Sequence, residues 1–424
     1  MTIPRGISYA VVLAAAFILW TPVALAGTQG FSALLGLAAI PAVLFAPLKK
    51  VNKITIAVAL IALWATVSSA WSEESSAIVG GTLTKGTFNI GAAAIRIALT
   101  ALAGVLVISA ALRIKPSGDR IALFVMLGCL IIHAAWTLAM AFAPDWILSL
   151  YAPFSDVEKE APQNMLRSTN AFLLGLPILL GAVCALPDKV HLPSIVAILL
   201  ASVIVFVMIG SDVAWIGVVL VAVAIGLVIV AARTGFKVLF ASISAFIFLS
   251  PLVLGVGGAA ISNAGVPLPS SVQSRVWAWQ LTTEKIAERP ITGHGIEASK
   301  EWRETFGDRP VLLKQMVART GIDDGRWSVY RILPGHPHNM GLQIWAETGL
   351  IGVMLSIGLL LLIGWSLPAP ASMPLSSRIA TASLTAASFA LFSLSYSVWN
   401  EAFWATVVLA AAGVILLHKR VGEP

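Results

Sequence analysis

Apolar runs of roughly 17–22 residues recur along the chain, long enough for a helix to cross a bilayer and free of the period-2 alternation of a half-buried strand. Hydrocarbon offers the backbone no hydrogen-bond partners, so a spanning segment must satisfy itself as a helix or within a closed barrel. Barrel strands are about half this length and alternate in polarity. The runs therefore predict helices. They lie near 8–25, 31–47, 54–71, 90–112, 121–142, 171–187, 193–210, 213–232 and 238–256 and, after a long polar interval, near 341–366, 379–398 and 401–418. The fold class predicted is an all-α polytopic membrane protein with about 12 transmembrane helices. Residues 1–256 hold helices 1–9, residues 257–340 form a large helical loop before the tenth, and residues 341–424 hold helices 10–12.

Composition agrees. Only 11% of the 424 residues are charged, against about 25% in an ordinary soluble domain. The first run ends in Ala24-Leu25-Ala26, which resembles a signal-peptidase site, but the length of the run favours a retained helix. Cys129 and Cys184 both fall within apolar stretches and form neither a CxxC pair nor a disulfide framework.

The net charge of +7 admits a nucleic-acid partner until the positions are considered. With a cytoplasmic N-terminus, one set of alternate loops holds thirteen basic residues: Arg5; Lys49, Lys50 and Lys53; Arg113, Lys115 and Arg120; Lys189; Arg233 and Lys237; Arg378; Lys419 and Arg420. The opposite short loops hold Lys85, Lys159 and Arg167 beside acids that include Glu73, Glu74, Asp145, Asp156, Glu158 and Glu160. That asymmetry sets membrane orientation, with both termini cytoplasmic, and no nucleic acid is implied. The long 257–340 interval then faces outside, and its basic residues are largely offset by acids, as in a solvated hairpin laced with ion pairs.

The segment richest in chemistry is Leu333-Pro334-Gly335-His336-Pro337-His338-Asn339, running straight into an apolar helix. His338 is thereby predicted at the water–lipid boundary near a helix N-terminus. Imidazole suits proton transfer near neutral pH, and a helix N-terminus disfavours its charged form. Asn339 is placed to cap the helix. Gln343 and Glu347, four apart, share one helical face at or just inside the interface, where a polar or ionisable group is a candidate for function. His336 and His338 suggest a metal pair, but no third ligand lies at a matching spacing and no metal site is predicted.

Three arginines stand at outer helix ends. Arg275, in Ser274-Arg275-Val276-Trp277-Ala278-Trp279, sits on a helix whose tryptophans suit the interface. Arg167, in Arg167-Ser168-Thr169-Asn170, opens a helix, and Arg96 lies near the outer end of the fourth run. Arginines gathered at one membrane face suit a pyrophosphate. Asp212, in the short outer turn Gly210-Ser211-Asp212, is placed to neutralise one of them. His133, inside the fifth run, reads as a packed histidine. No Walker A, no GxGxxG, no Asp-x-Asp and no inverted repeat is present; Asp323-Asp324 is adjacent rather than spaced.

The pattern His336-Pro-His338-Asn339-x-x-Leu342-Gln343-x-x-x-Glu347-x-Gly349 resembles the motif of the O-antigen ligase family, within the superfamily that also holds O-antigen polymerases. Arg275-x-Trp277 before Pro290…Gly293-x-Gly295, and the large outer loop ahead of the motif, extend the resemblance over roughly 160–360. One departure is Ser211-Asp212, where family members often carry Ser-Arg, so any role of that arginine falls to another residue. The resemblance implies a membrane-embedded C-type glycosyltransferase of the bacterial inner membrane, its active site facing the periplasm and needing no cofactor, metal or ATP. Such an enzyme moves an O-polysaccharide from undecaprenyl pyrophosphate to lipid A–core and inverts the anomeric centre. It implies His338 as general base, Arg275 with Arg167 and Arg96 on the pyrophosphate, and His336, Asn339, Gln343, Glu347 and Asn170 in support. An O-antigen polymerase and a protein O-oligosaccharyltransferase are the neighbouring readings. A secondary transporter or flippase is the reading from another class, and it would need charged residues at mid-bilayer.

Overall fold

A computed structural model describes residues 8–45, 52–72, 79–80, 89–90, 93–115, 120–154, 156, 158–264, 270–322 and 325–421. Arg5, Lys49, Lys50, Glu73, Glu74, Lys85 and the Asp323-Asp324 pair lie outside the described residues. The chain is helical: α1 (Tyr9–Leu25), α2 (Phe31–Phe45), α3 (Lys53–Ser68), α4 (Ala93–Ala111), α5 (Arg120–Phe142), α6 (Pro144–Tyr151), α7 (Glu160–Val183), α8 (Asp188–Ile209), α9 (Asp212–Val230) and α10 (Gly235–Ser250) come first. A π-helical turn at Pro251–Val256, where proline withholds its amide, joins α10 to α11 (Gly257–Asn263). Then follow α12 (Ser270–Glu288), α13 (Pro310–Thr320), α14 (Arg326–Val329), α15 (Met340–Ser366), α16 (Leu375–Leu394) and α17 (Glu401–Val421). The departure from all-helical character among the described residues is small: Val79–Gly80 pairs antiparallel with Asn89–Ile90, and Thr305 bridges Arg331.

Among the described residues, nine helices are long and apolar enough to cross a membrane, and the shorter apolar α1 and α2 accompany them. The protein is a polytopic membrane protein. The count falls below twelve for a physical reason. Helices α1 and α2 are short, and α16 carries Ser376, Ser377, Ser383, Ser388 and Ser393. Helix α16 packs against α7, α9 and α17, and its neighbours rather than lipid cover most of it. Helix α7 is the most enclosed span, 72% buried against 11% for α3. It begins at Glu160, well before the apolar stretch at 171, because its polar outer turns carrying Ser168, Thr169 and Asn170 are packed inside the protein. Leu60, Leu63, Ile131, Leu200 and Val223 stay exposed on outer helix faces, as lipid contact requires.

His133 is a packed histidine. Its Nδ1 accepts from Trp20 Nε1 at 3.2 Å and its Nε2 lies 3.1 Å from Ser168 Oγ, so both ring nitrogens are occupied.

The 257–340 stretch builds a small core of its own, with Trp277, Leu281, Phe306, Met316, Ile332 and Leu333. Arg309 ties it together by reaching Glu284 of α12 and Glu304 at once, and these carboxylates raise its pKa. Lys285–Glu288 and Arg303–Glu301 add surface pairs. Trp277 is therefore buried against Phe306 rather than set in lipid headgroups, which corrects the interfacial reading of that ring.

Candidate functional site

The turn before α15 is shaped by its own residues. Pro337 disfavours helix at the residue ahead of it, and Asn339 caps α15, its Oδ1 accepting from the Leu342 amide at 3.1 Å. Between them His338 adopts φ +49°, a left-handed conformation that a side-chain-bearing residue adopts only when its surroundings impose it. The restraints are visible. Trp279 of α12 donates to the Pro337 carbonyl at 2.9 Å, and Asn339 Nδ2 donates to the Ser393 carbonyl at 3.3 Å.

His338 Nδ1 lies 3.1 Å from the carbonyl oxygen of Ser395, at the C-terminal end of α16. A carbonyl only accepts, so Nδ1 carries the proton and Nε2 keeps its lone pair. Burial and then the nearby Arg275 charge lower the His338 pKa, while the Ser395 bond opposes them. The His336 ring lies tilted against that of His338, centroids 4.2 Å apart; it accepts the His338 amide on its own Nδ1, and its pKa is pushed down to about 3 by burial, by His338 and by Lys300. At neutral pH both rings are uncharged.

Arg275 lies within electrostatic reach of His338 and of Asp212. Burial lowers its pKa and Asp212 partly restores it. Asp212 also accepts from Trp215 Nε1 at 3.3 Å. On the other side, Asn170 of α7 donates to Tyr396 Oη at 3.2 Å, and Arg167, one helical turn before Asn170, acts electrostatically on the same tyrosine. Tyr396 follows the residue that holds His338. The connector between α16 and α17 thus gathers His338, Arg275, Arg167 and Asn170 around one place.

Gln343 and Glu347 face inward and build a clasp. Glu347 is fully buried and accepts from the Glu297 amide at 2.7 Å, Ser299 Oγ at 2.5 Å, Gln343 Nε2 at 3.2 Å and the Trp399 indole. Gln343 also donates to Ser397 Oγ at 2.9 Å and accepts the Val398 amide at 2.9 Å. Ser299 Oγ lies 3.0 Å from the Gly335 carbonyl, so the clasp reaches the histidine turn.

Two residues on, α15 breaks at Gly349, with φ +64° and ψ −168°, a conformation essentially confined to glycine. The break strips neighbouring carbonyls and amides of their helical partners, and the segment from Pro290 to Gly295 replaces them. His294 and Gly295 amides donate to the carbonyls of Ala346 and Glu347, at 2.9 and 2.8 Å; the Leu350 and Ile351 amides donate to Pro290 and Ile291, at 2.9 and 3.3 Å. Trp64 Nε1 takes the Thr348 carbonyl at 3.0 Å. A side chain on Gly293 would strike Glu347 backbone, and one on Gly349 would strike Ile291 backbone. Gly293 and the Glu347-x-Gly349 pattern are therefore two halves of one backbone interlock.

Arg96 stands apart from the other arginines. It pairs with Glu401 at 3.0 Å and with Glu297 at 3.4 Å, and Lys300 reaches the same Glu297 at 2.7 Å. Its charge is already offset by two carboxylates. Reading the sequence alone misses Ser395, Tyr396, Ser397, Trp399, Glu297 and Ser299. The signal that would have found four of them is the polar Ser395-Tyr396-Ser397 at the end of the 379–398 run, where the structure ends α16 at Leu394 and a connector leads to α17 at Glu401. Among the described residues no group of three His, Cys, Asp or Glu side chains converges as a metal set.

Comparison with known proteins places this geometry in context. A protein named "Putative polysaccharide ligase" from Rickettsia bellii is 27% identical over 188 residues, covering 42% of this chain and 39% of that protein. A namesake from Rickettsia prowazekii is 28% identical over 161 residues, covering 36% of this chain and 33% of its own length. A third, from Rickettsia conorii, is 34% identical over 85 residues, 20% of this chain and 18% of that one. The aligned regions thus span well under half of each relative's length. No solved structure matches the chain. Residues 196–357 match the O-antigen ligase family, a region that takes in Asp212, Arg275, the glycine interlock and the turn from His336 to Asn339, so the chain carries an O-antigen ligase family domain.

Proposed function

We propose that this protein is an O-antigen ligase of the bacterial inner membrane, transferring O-polysaccharide from undecaprenyl pyrophosphate to lipid A–core in lipopolysaccharide biosynthesis. The observation that carries the reading is His338: a neutral imidazole whose Nδ1–H is spent on the Ser395 carbonyl, leaving Nε2 as a base beside an arginine. Nε2 takes the proton of an acceptor hydroxyl as that oxygen attacks the anomeric carbon. The bond from that carbon to the pyrophosphate oxygen breaks with its electron pair, and the pyrophosphate leaves. A single displacement inverts the anomeric centre. Arg275 and Arg167 stabilise the charge gathering on the leaving group. Arg96, held between Glu297 and Glu401, acts as a structural cation. The reaction draws its energy from the activated glycosyl bond and uses no metal, cofactor or ATP.

The topology that goes with this reading has twelve membrane helices, both termini in the cytoplasm and the 257–340 loop in the periplasm, following the thirteen-to-three division of basic residues in short loops. His338, the arginines and the loop then share the outer face, where both lipid-linked substrates present their sugars. The one histidine deep within a span, His133, is bonded on both ring nitrogens, which disfavours the transporter reading.

The test is transfer by purified protein from an undecaprenyl-pyrophosphate glycan to lipid A–core, with EDTA and without nucleotide, comparing wild type with His338→Ala. Transfer that collapses in the variant supports the ligase. Lengthening of the donor glycan instead indicates the polymerase, glycan on a pilin-type protein the oligosaccharyltransferase, and no glycan chemistry a transporter.

A further inference from the structure

The loop carries a second concavity, distinct from the His338 turn, that the reaction does not use. It is a cleft of about 450 Å³, bordered by Trp71 at the outer end of α3 and by Lys285, Arg289, Trp302, Arg303 and Glu304 of the loop. Its volume falls within the range of small-molecule sites, about 300–1,000 Å³. Two features narrow what it takes. The charges balance, because Lys285, Arg289 and Arg303 face Glu288, Glu301 and Glu304, so it is a poor trap for a simple anion and rich in groups that bond hydroxyls. Two half-buried indoles line it. Trp71 is pinned by its Nε1 donating to the Gly293 carbonyl at 3.2 Å, and Trp302 is braced edge-on by His294 at 5.6 Å, so each ring loses little freedom when a ligand arrives.

Fixed aromatic rings and balanced charge suit a ligand with apolar ring faces and a fringe of hydroxyls. We propose that this cleft is a glycan-binding subsite that holds a stretch of the polysaccharide chain away from the reacting sugar. The proposal rests on the transferase reading above. Its wall connects to the reaction site through Ser299, whose hydroxyl lies beside both the Gly335 carbonyl and Glu347, while Ala298, Glu301 and Trp302 on either side of it line the cleft. A chain seated here gives the enzyme a preference for long donors over short ones.

Two measurements test this and keep the two readings separable. The first compares kcat/KM for undecaprenyl-pyrophosphate donors bearing one repeat unit and many, in wild type and in Arg289→Ala/Arg303→Ala, both exposed side chains. The expected result is a wild-type preference for the long donor that falls at least about tenfold in the variant, the worth of one charge-assisted hydrogen bond, with the short donor within about twofold of wild type. Equal losses on both donors, or no length preference in wild type, overturn the subsite. The second titrates intrinsic tryptophan fluorescence with lipid-free polysaccharide released by mild acid from the source bacterium's lipopolysaccharide. Saturable quenching that disappears in Trp302→Phe supports the subsite even if wild type transfers neither donor, an outcome that would sink the transferase reading alone. An unchanged signal overturns it.

Discussion

Replacing Gly349 by alanine isolates the backbone interlock from every side-chain effect. At φ +64° and ψ −168° an alanine is strained by about 1–3 kcal/mol. Its Cβ also overlaps the Ile291 backbone, so the Pro290–Gly295 segment must withdraw. Withdrawal leaves the Leu350 and Ile351 amides without these partners, at about 0.5–1.5 kcal/mol of net hydrogen-bond energy each. Together these give about 2–6 kcal/mol. The assay is thermal unfolding in detergent, beside Gly358→Ala in the same helix, where a Cβ meets open space. Gly358→Ala is expected to be neutral or to gain a fraction of a kcal/mol, up to about 1, from reduced chain entropy. Gly349→Ala is expected to lower the melting midpoint by several degrees and to depress transfer, because the clasp behind the histidine turn loosens. Equal melting midpoints for the two variants would refute the reasoning.

Three further outcomes follow from the site. The unfolded chain protonates His336 near pH 6.5, whereas the folded chain resists until about 3, so stability present at neutral pH is lost as pH falls through that window; His336→Gln is expected to flatten chemical-denaturation stability against pH between those limits. For His338, the pH at which transfer reaches half its plateau is expected below the ordinary histidine value and is expected to move upward in Arg275→Gln, since a neighbouring positive charge is removed; a midpoint that stays put would separate the two residues. Arg96→Gln is expected to lower the melting midpoint by leaving Glu297 and Glu401 facing each other, and Arg96→Gln/Glu401→Gln to recover part of the loss. If donor KM rises without a stability change, Arg96 belongs with the phosphate-binding arginines after all.

Much of this architecture is legible in the sequence because membrane helices announce themselves by length, and every predicted apolar run coincides with a helix. The His-x-His-Asn turn is legible too, since proline, histidine and a capping asparagine each leave a local trace. Long-range pairing leaves none. Arg96 meets partners 201 and 305 residues away, so nothing near it distinguishes a structural cation from a phosphate clamp. The group that sets the His338 tautomer is a backbone carbonyl, and every residue has one. The apolar run at 379–398 marks α16, but not that other helices rather than lipid cover most of it, which is why its serines are tolerated.

The connector from Ser395 to Trp399 inverts a familiar rule of protein evolution. Surface loops between helices ordinarily drift in length and accept epitope tags or inserted domains. Here five consecutive residues are each bonded to one of four struts, His338, Asn170, Gln343 and Glu347, with Gln343 holding both Ser397 and Val398. A bridge tied at every residue tolerates neither insertion nor deletion, whereas the cleft of the proposed subsite lies outside these five bonds and can change its lining without loosening them.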